Sequence, residues 1–199
     1  MQEIAPGLWY WPALRESIGK DVSSYYLERE RVLIDPMLPP EGLAWFEEHG
    51  RPEHLLLTCR HHDRDGWALR EAFGSTLWVV ASGAHTLEGR GEFETFAWGD
   101  ELPGGVVAYE VDAISPDETA FHVPAHRALA VADGVVRWEG VPGLSFVPDF
   151  LMDEPERTKA GLREAFTRLL ELDWSLLLLA HGAPVVEHAK DELRTFVDA

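Results

Sequence analysis

The sequence predicts an α/β fold in which sheets are covered by helices, and three observations carry that expectation. The first third alternates aromatic and β-branched stretches with tight charged turns, as paired strands do. Farther along, short apolar runs alternate with amphipathic periods, as strands do with the helices that cover them. Those apolar runs stop at polar, charged segments, which is where α/β folds place their sites. With 46% apolar residues in 199, the chain has enough to bury about 70% of its unfolded surface. No repeat, low-complexity tract or linker interrupts it, so a single domain over 1–199 is expected.

The elements follow in order. Residues 8–11 are aromatic and stop at Pro12; 22–27 and 32–34 flank the charged turn Glu28-Arg29-Glu30-Arg31 as the arms of a hairpin, closed by Asp35-Pro36. The stretch 43–49 reads as a short helix ending at Gly50. Leu55-Leu56-Leu57-Thr58 is a continuous apolar run, the pattern of a strand buried on both faces. A polar knot follows, Cys59-Arg60-His61-His62-Asp63-Arg64-Asp65-Gly66, then a helix by period over 67–73 and a buried strand over 77–81. Short strands are expected at 93–96, 106–111, 119–123 and 128–132, the last two joined by Pro124-Ala125-His126-Arg127. Over 156–172, Leu162, Phe166, Leu169 and Leu170 line one face of a helix with charges opposite. A buried strand over 174–180 meets His181-Gly182, and 187–197 reads as a final amphipathic helix.

Charge and cysteine content exclude several functions. The chain carries 17 Lys+Arg against 35 Asp+Glu, a formal net charge of −18. That balance argues against nucleic acid and against anionic membrane surfaces, both of which need clustered cations. The single cysteine, Cys59, has no partner for an internal disulfide and fits a reducing compartment. The N-terminus lacks a signal-peptide pattern and no apolar run is long enough to span a bilayer, so a cytoplasmic location is expected. No Gly-x-Ser-x-Gly elbow, phosphate-cradling loop or dinucleotide fingerprint is present.

Chemistry-bearing residues gather at three strand ends: Cys59 to Asp65, Asp133 and His181. Each alone has an ordinary explanation. A His after a strand is commonly a hydrogen-bonded structural residue, and Asp-Gly is a turn signal. In order, however, they resemble the metallo-β-lactamase superfamily. Thr58 followed by Cys59-Arg60-His61-His62-Asp63-Arg64 is similar to that family's Thr followed by His-x-His-x-Asp-His. Ile4 to Trp9 resembles its opening strand, Val32-Leu33-Ile34-Asp35 its Leu-Ile-Asp turn, Val131-Ala132-Asp133 its bridging Gly-Asp, and Ala180-His181-Gly182 its late Gly-His-Gly. The resemblance implies a four-layer αββα sandwich and a metal centre. If the motif loop is extended, residues two apart point the same way, so Cys59 and His61 would serve one metal and Asp63 a second. Asp133 would bridge, and Asp63 or Asp133 would orient the attacking water or act as base.

Two positions depart from the family pattern. Arg64 stands where a second-site His belongs, and guanidinium cannot ligate. Held within roughly 5 Å of a divalent ion it would be repelled by about 7 kcal/mol at an effective dielectric of 20, so pairing with Asp63 or Asp133 is its expected role. The family's Pro-Gly-His ligand aligns either with His126 or with Ile114, and the spacing to Asp133 favours Ile114, which is no ligand. The surviving set is Cys59, His61, Asp63, Asp133 and His181, enough for no metal or for one divalent ion, with zinc expected. His62 falls at a variable motif position, which implies a supporting or solvated role. His85, His122, His126 and His188 show no ligand spacing. Trp67, Trp138, Phe146 and Phe150 follow the motif strands, where pocket walls would stand.

Two functions follow from the resemblance and its gaps. One is a non-hydrolytic or weakly active relative that binds a small ligand beside a degraded metal centre. The alternative is a mononuclear metal-dependent hydrolase of an ester, thioester, amide or phosphoester. A third use of the same residues, Cys59 as a thiol nucleophile paired with His61 or His181, would need a depressed thiol pKa.

Overall fold

A computed structural model describes residues 1–199. Seven strands form the first sheet in sequence order: β1 (Gln2–Ala5), β2 (Leu8–Arg15), β3 (Lys20–Leu27), β4 (Val32–Ile34), β5 (His54–Leu56), β6 (Thr76–Val80) and β7 (Glu94–Phe96). β1 to β4 pair antiparallel and β4 to β7 parallel. The parallel steps need crossovers, two of which are α1 (Leu43–His49) and α2 (Gly66–Phe73). The second sheet holds β8 (Glu101–Leu102), β9 (Val106–Glu110), β10 (Thr119–Val123), β11 (Ala128–Val131) and β12 (Leu176–Leu179), in the order β12-β11-β10-β9-β8. Helix α3 (Pro155–Leu169) lies between β11 and β12 in sequence, those two strands pair parallel, and α4 (Ala189–Asp198) closes the chain.

Side-chain alternation along single strands makes four layers. Leu55 and Leu57 face Trp45, Phe46 and Leu69 of the first helical layer, while Leu56 between them faces the other sheet. Leu177 and Leu179 likewise pack against Leu162, Phe166 and Leu193 of α3 and α4, while Leu178 joins the inter-sheet core with Phe121, Tyr25 and Ile34. Each such leucine is fully buried and contributes about 2 kcal/mol by leaving water. The αββα sandwich expected from the sequence is therefore present, with the hairpin β3–β4 in the register Tyr25↔Ile34 and Leu27↔Val32.

Several boundaries differ from the sequence expectation. β1 is anticipated only through the resemblance of Ile4 to Trp9 to an opening strand, and the two-residue β8 carries too little pattern to be read. β2 runs through Pro12 to Arg15, because β1 covers only Leu8 to Tyr10 and leaves Pro12 with β3 as its one neighbour. α4 begins at Ala189 because His188 is left-handed, with φ 54°. No helix is long and apolar enough to cross a membrane.

Candidate metal centre

The parallel pairing of β4 with β5 and of β11 with β12 brings four strand ends to one edge of the sandwich. They deliver Asp35, Thr58-Cys59, Asp133 and His181. Two cross-sheet hydrogen bonds tie that edge: Thr119 N–H to the Thr58 carbonyl at 2.8 Å, and Ser23 N–H to the Ala180 carbonyl at 2.9 Å.

The motif loop is not extended. Arg60–His62 is a 3₁₀ turn entered from an extended Cys59, with the His62 N–H donating to the Cys59 carbonyl at 3.0 Å. Residues three apart share a face in such a turn, so His62 rather than His61 lies beside Cys59. Ligand atoms of Cys59, His62 and Asp133 lie within 4.8 Å of one another, a group that could hold a metal ion. His181 Nε2 stands 3.2 Å from Asp133 Oδ1, as does His62 Nε2. His61 is exposed on the wall of the adjoining cleft.

Asp35 orients His62. The Thr58 hydroxyl donates to Asp35 Oδ2 at 2.7 Å, and His62 Nδ1 lies 2.9 Å from the same oxygen and 2.8 Å from Thr58 Oγ1. With Nδ1 so occupied, Nε2 is the nitrogen presented to Asp133. A carboxylate behind the imidazole is the usual support of a metal-bound histidine.

The cluster's charges are shifted together. Burial opposes the His62 cation, but Cys59, Asp35 and Asp133 outweigh burial and hold the imidazole protonated well above the usual histidine range. Burial raises both carboxyls, yet the His62 charge wins and holds Asp133 well below and Asp35 below the ordinary carboxylate range. Burial pushes the Cys59 thiol up, with His62 only partly offsetting it. A bound ion would displace the His62 and Cys59 protons and take over the role of the imidazolium.

The donor set could hold one divalent ion. Ligand atoms around a tetrahedral zinc sit about 3.4 Å apart for bonds of about 2.1 Å, close to the 3.2 Å between Asp133 Oδ1 and each imidazole. Asp133 Oδ1 is buried, and its contacts with the two imidazoles are ion-pair approaches. One carboxylate oxygen shared by two imidazole nitrogens is an arrangement that a cation could enter once the imidazole proton is lost.

No second site is assembled. Asp63 Oδ2 accepts from Trp67 Nε1 at 2.8 Å and pairs with Arg90 at 2.5 Å, while Oδ1 accepts the Arg64 N–H at 3.0 Å. Arg64 does not pair with Asp63 or Asp133, as the sequence had led us to expect. Its backbone is left-handed, φ 40°, and its fully buried side chain turns under the cluster. There Nη1 donates to the Ser23 and Asp35 carbonyls at 2.5 and 3.0 Å, and Nη2 lies 3.9 Å from Asp35 Oδ2. The guanidinium thus staples strand ends whose carbonyls need donors. Ile114 lines a cavity of about 270 Å³ together with Cys59 and Asp133. His126 is far away, 3.3 Å from Glu30.

Other predicted residues scatter. His85 and His188 are exposed, and His122 contacts the Asp173 carbonyl. Trp138 lies 6.0 Å from the His181 ring and Trp67 stands under Arg90, whereas Phe146 packs on Phe196 in the helical core and Phe150 is exposed. Sequence reading missed Asp35 and His62 as partners, and it missed Glu118. The Glu118 carboxyl is pushed up to about 8 by burial and by Asp133, and it accepts the Gly134 N–H at 2.6 Å. Its sequence signal was its place at the end of Ile114-Ser115-Pro116-Asp117-Glu118, the segment similar to the family's His-Thr-Pro-Gly-Glu, one residue before a buried strand.

No protein-family model and no curated protein matches the chain by sequence. Solved structures do match by shape. TTHA1623, determined in a di-iron-bound form, is 23% identical over 91% of this chain and 96% of its own, with a TM-score of 0.67. The metallo-β-lactamase family protein TTHA1429 from Thermus thermophilus is 15% identical over 98% of this chain and 80% of its own, with a TM-score of 0.66. DIM-1 metallo-β-lactamase is 14% identical over 99% and 95%, with a TM-score of 0.71. Layer order, strand-end placement and these likenesses agree: the chain has the fold of the metallo-β-lactamase superfamily, with a reduced and atypical cluster, Cys59, His62 and Asp133, at its metal-binding edge.

Proposed function

We propose that the chain, one domain over 1–199, binds a single divalent metal ion through Cys59, His62 and Asp133, with His181 alongside as a fourth donor. It holds a small-molecule ligand in the adjoining cleft of about 550 Å³ and is weakly hydrolytic or not hydrolytic at all. The observation that carries this is the approach of three ligand atoms to within 4.8 Å of one another, two of them on buried side chains and one oriented from behind by Asp35. An ion there would supply Lewis acidity to whatever reaches the cleft. Thiolate and imidazole donors suit zinc, and the di-iron form of TTHA1623 makes iron the competing identity.

The same geometry argues against efficient two-metal chemistry. Asp63 is consumed by Arg90 and Trp67, Arg64 lies beneath the cluster, and Ile114 offers no donor. A mononuclear hydrolase is the second reading, favoured by Asp133, whose partly exposed carboxylate lines the cleft beside the cluster. The acidic surplus disfavours nucleic acid and anionic membranes, and the free, buried Cys59 fits a reducing cytoplasm.

Metal content by mass spectrometry, on protein purified without chelator or affinity metal, tests the centre. About one equivalent per chain, lost in Cys59→Ser and His62→Ala, is expected. No ion retained after incubation with excess zinc and iron would sink the proposal. Turnover of ester, thioester, amide or phosphoester substrates that chelation abolishes would select the mononuclear hydrolase.

A further inference from the structure

The cluster stands between two cavities of opposite character. The larger gathers four of the chain's 17 Lys and Arg, namely Arg15, Arg60, Arg64 and Arg90, in a molecule of net charge −18. Three of them have partners. Arg60 pairs with Asp117 at 3.0 Å, Arg64 is held by Asp35 and strand-end carbonyls, and Arg90 takes Asp63 at 2.5 Å. Arg15 is left without a close carboxylate: its Nε donates to Ser17 Oγ at 3.2 Å, its Nη2 reaches only to 4.0 Å from the already engaged Asp63, and its side chain stays 27% exposed on the cleft wall. The smaller cavity lies across Cys59 and Asp133; Ile114, Val147 and Leu151 form its apolar wall, with Ser115 and Glu118 on the other side of the lining. Beside its mouth, Phe150 and Leu151 are 84% and 56% exposed. Arg60, His61 and Asp133 line both cavities, which therefore adjoin.

We infer that the ligand of this site is an amphipathic anion: a carboxylate or phosphate head taken by Arg15, and an apolar chain that passes the Cys59–Asp133 cluster into the cavity of Ile114, Val147 and Leu151. A partly exposed guanidinium with no close carboxylate of its own calls for an oxyanion, and planar guanidinium suits carboxylate and phosphate alike. The apolar walls call for hydrocarbon. This names the class of small molecule for the cleft proposed above and rests on that proposal for the site, but not for the ion.

The test is titration calorimetry of the full chain with alkyl phosphates and alkyl carboxylates from ethyl to octyl, with and without added zinc. Affinity is expected to rise about fourfold per methylene until the cavity is filled, and the tighter series identifies the head group. Arg15→Gln is expected to weaken every member at least tenfold without changing the slope, and Arg15→Lys to recover part of the loss. Leu151→Ser, at an exposed position, is expected to flatten the slope. A flat series in the unaltered chain would overturn the inference. So would neutral alcohols that bind as well as the anions, or an Arg15→Gln chain with unchanged affinity. Binding of the expected pattern in a chain that retains no metal would leave the inference standing and remove the metal centre.

Discussion

The Asp35 carboxylate lies 2.9 Å from His62 Nδ1 and accepts the Thr58 N–H at 2.9 Å, so the end of one strand orients the imidazole delivered by the end of the next. Asp35 also sits 3.9 Å from the buried Arg64 guanidinium. Replacing Asp35 by Asn keeps the left-handed backbone, φ 51°, which Asn tolerates, and keeps the volume while removing the charge. Zinc affinity is expected to fall about 10- to 100-fold through loss of the support behind His62. Stability is expected to fall by roughly 3 kcal/mol, because Arg64 is left buried without its counter-ion. Competitive chelator titration and urea denaturation read the two effects separately.

The 3₁₀ turn makes a sharp distinction between neighbouring histidines. His62→Ala is expected to abolish stoichiometric metal binding, while His61→Ala leaves metal content unchanged and affects only what enters the cleft. Metal analysis of the two variants side by side decides it; loss of metal in His61→Ala alone would mean that the loop binds in an extended form.

Fold and site were legible to different depths for physical reasons. Leu55-Leu56-Leu57 and Leu176 to Leu179 announce strands buried on both faces, because both faces meet apolar layers whatever the loops do. Strand ends then locate Cys59, Asp133 and His181 without side-chain detail. What could not be read was the conformation of the four residues between Cys59 and Arg64. A period of two selects His61 and a period of three selects His62, and local sequence does not choose between them. Asp35 was visible only as the end of a hairpin arm, because its partners Thr58 and His62 are 23 and 27 residues away. Arg64 looked like a cation for the nearest carboxylate. Its left-handed backbone turns it instead to the carbonyls of Ser23 and Asp35, which only the packed sheets bring together.

Gly182 positions His181. Its φ is +95°, and an added Cβ would collide with the Arg137 carbonyl oxygen. Gly182→Ala is therefore expected to cost well over about 1 kcal/mol and to displace His181, weakening metal binding. Gly143, with φ +74° and nothing within 4 Å of its Cβ, is the control. Gly143→Ala carries the backbone strain without the clash and should leave metal affinity intact. Equal losses in the two variants would assign the whole effect to strain.

Glu118 gives stability a pH dependence of known sign. Its folded carboxyl holds a proton up to about 8, against an ordinary value of 4.5, because burial first and Asp133 second disfavour the charge. Its contribution is fully present below 4.5, where folded and unfolded chains are both protonated. Between 4.5 and about 8 only the unfolded chain ionises, so stability falls as pH rises through that window and levels off above it. The expected fall is on the order of a few kcal/mol. His62, whose folded value is raised, adds a slope of the same sign in metal-free protein. The difference between the unaltered chain and Glu118→Gln isolates the carboxyl. Glutamine turns its amide toward one of the two donors, Ile114 N–H or Gly134 N–H, which lowers stability by an amount independent of pH. Urea midpoints of metal-free protein from pH 5 to 9 should therefore converge as pH rises, the variant catching up with the parent. Parallel curves would mean that Glu118 ionises in the fold as it does in water.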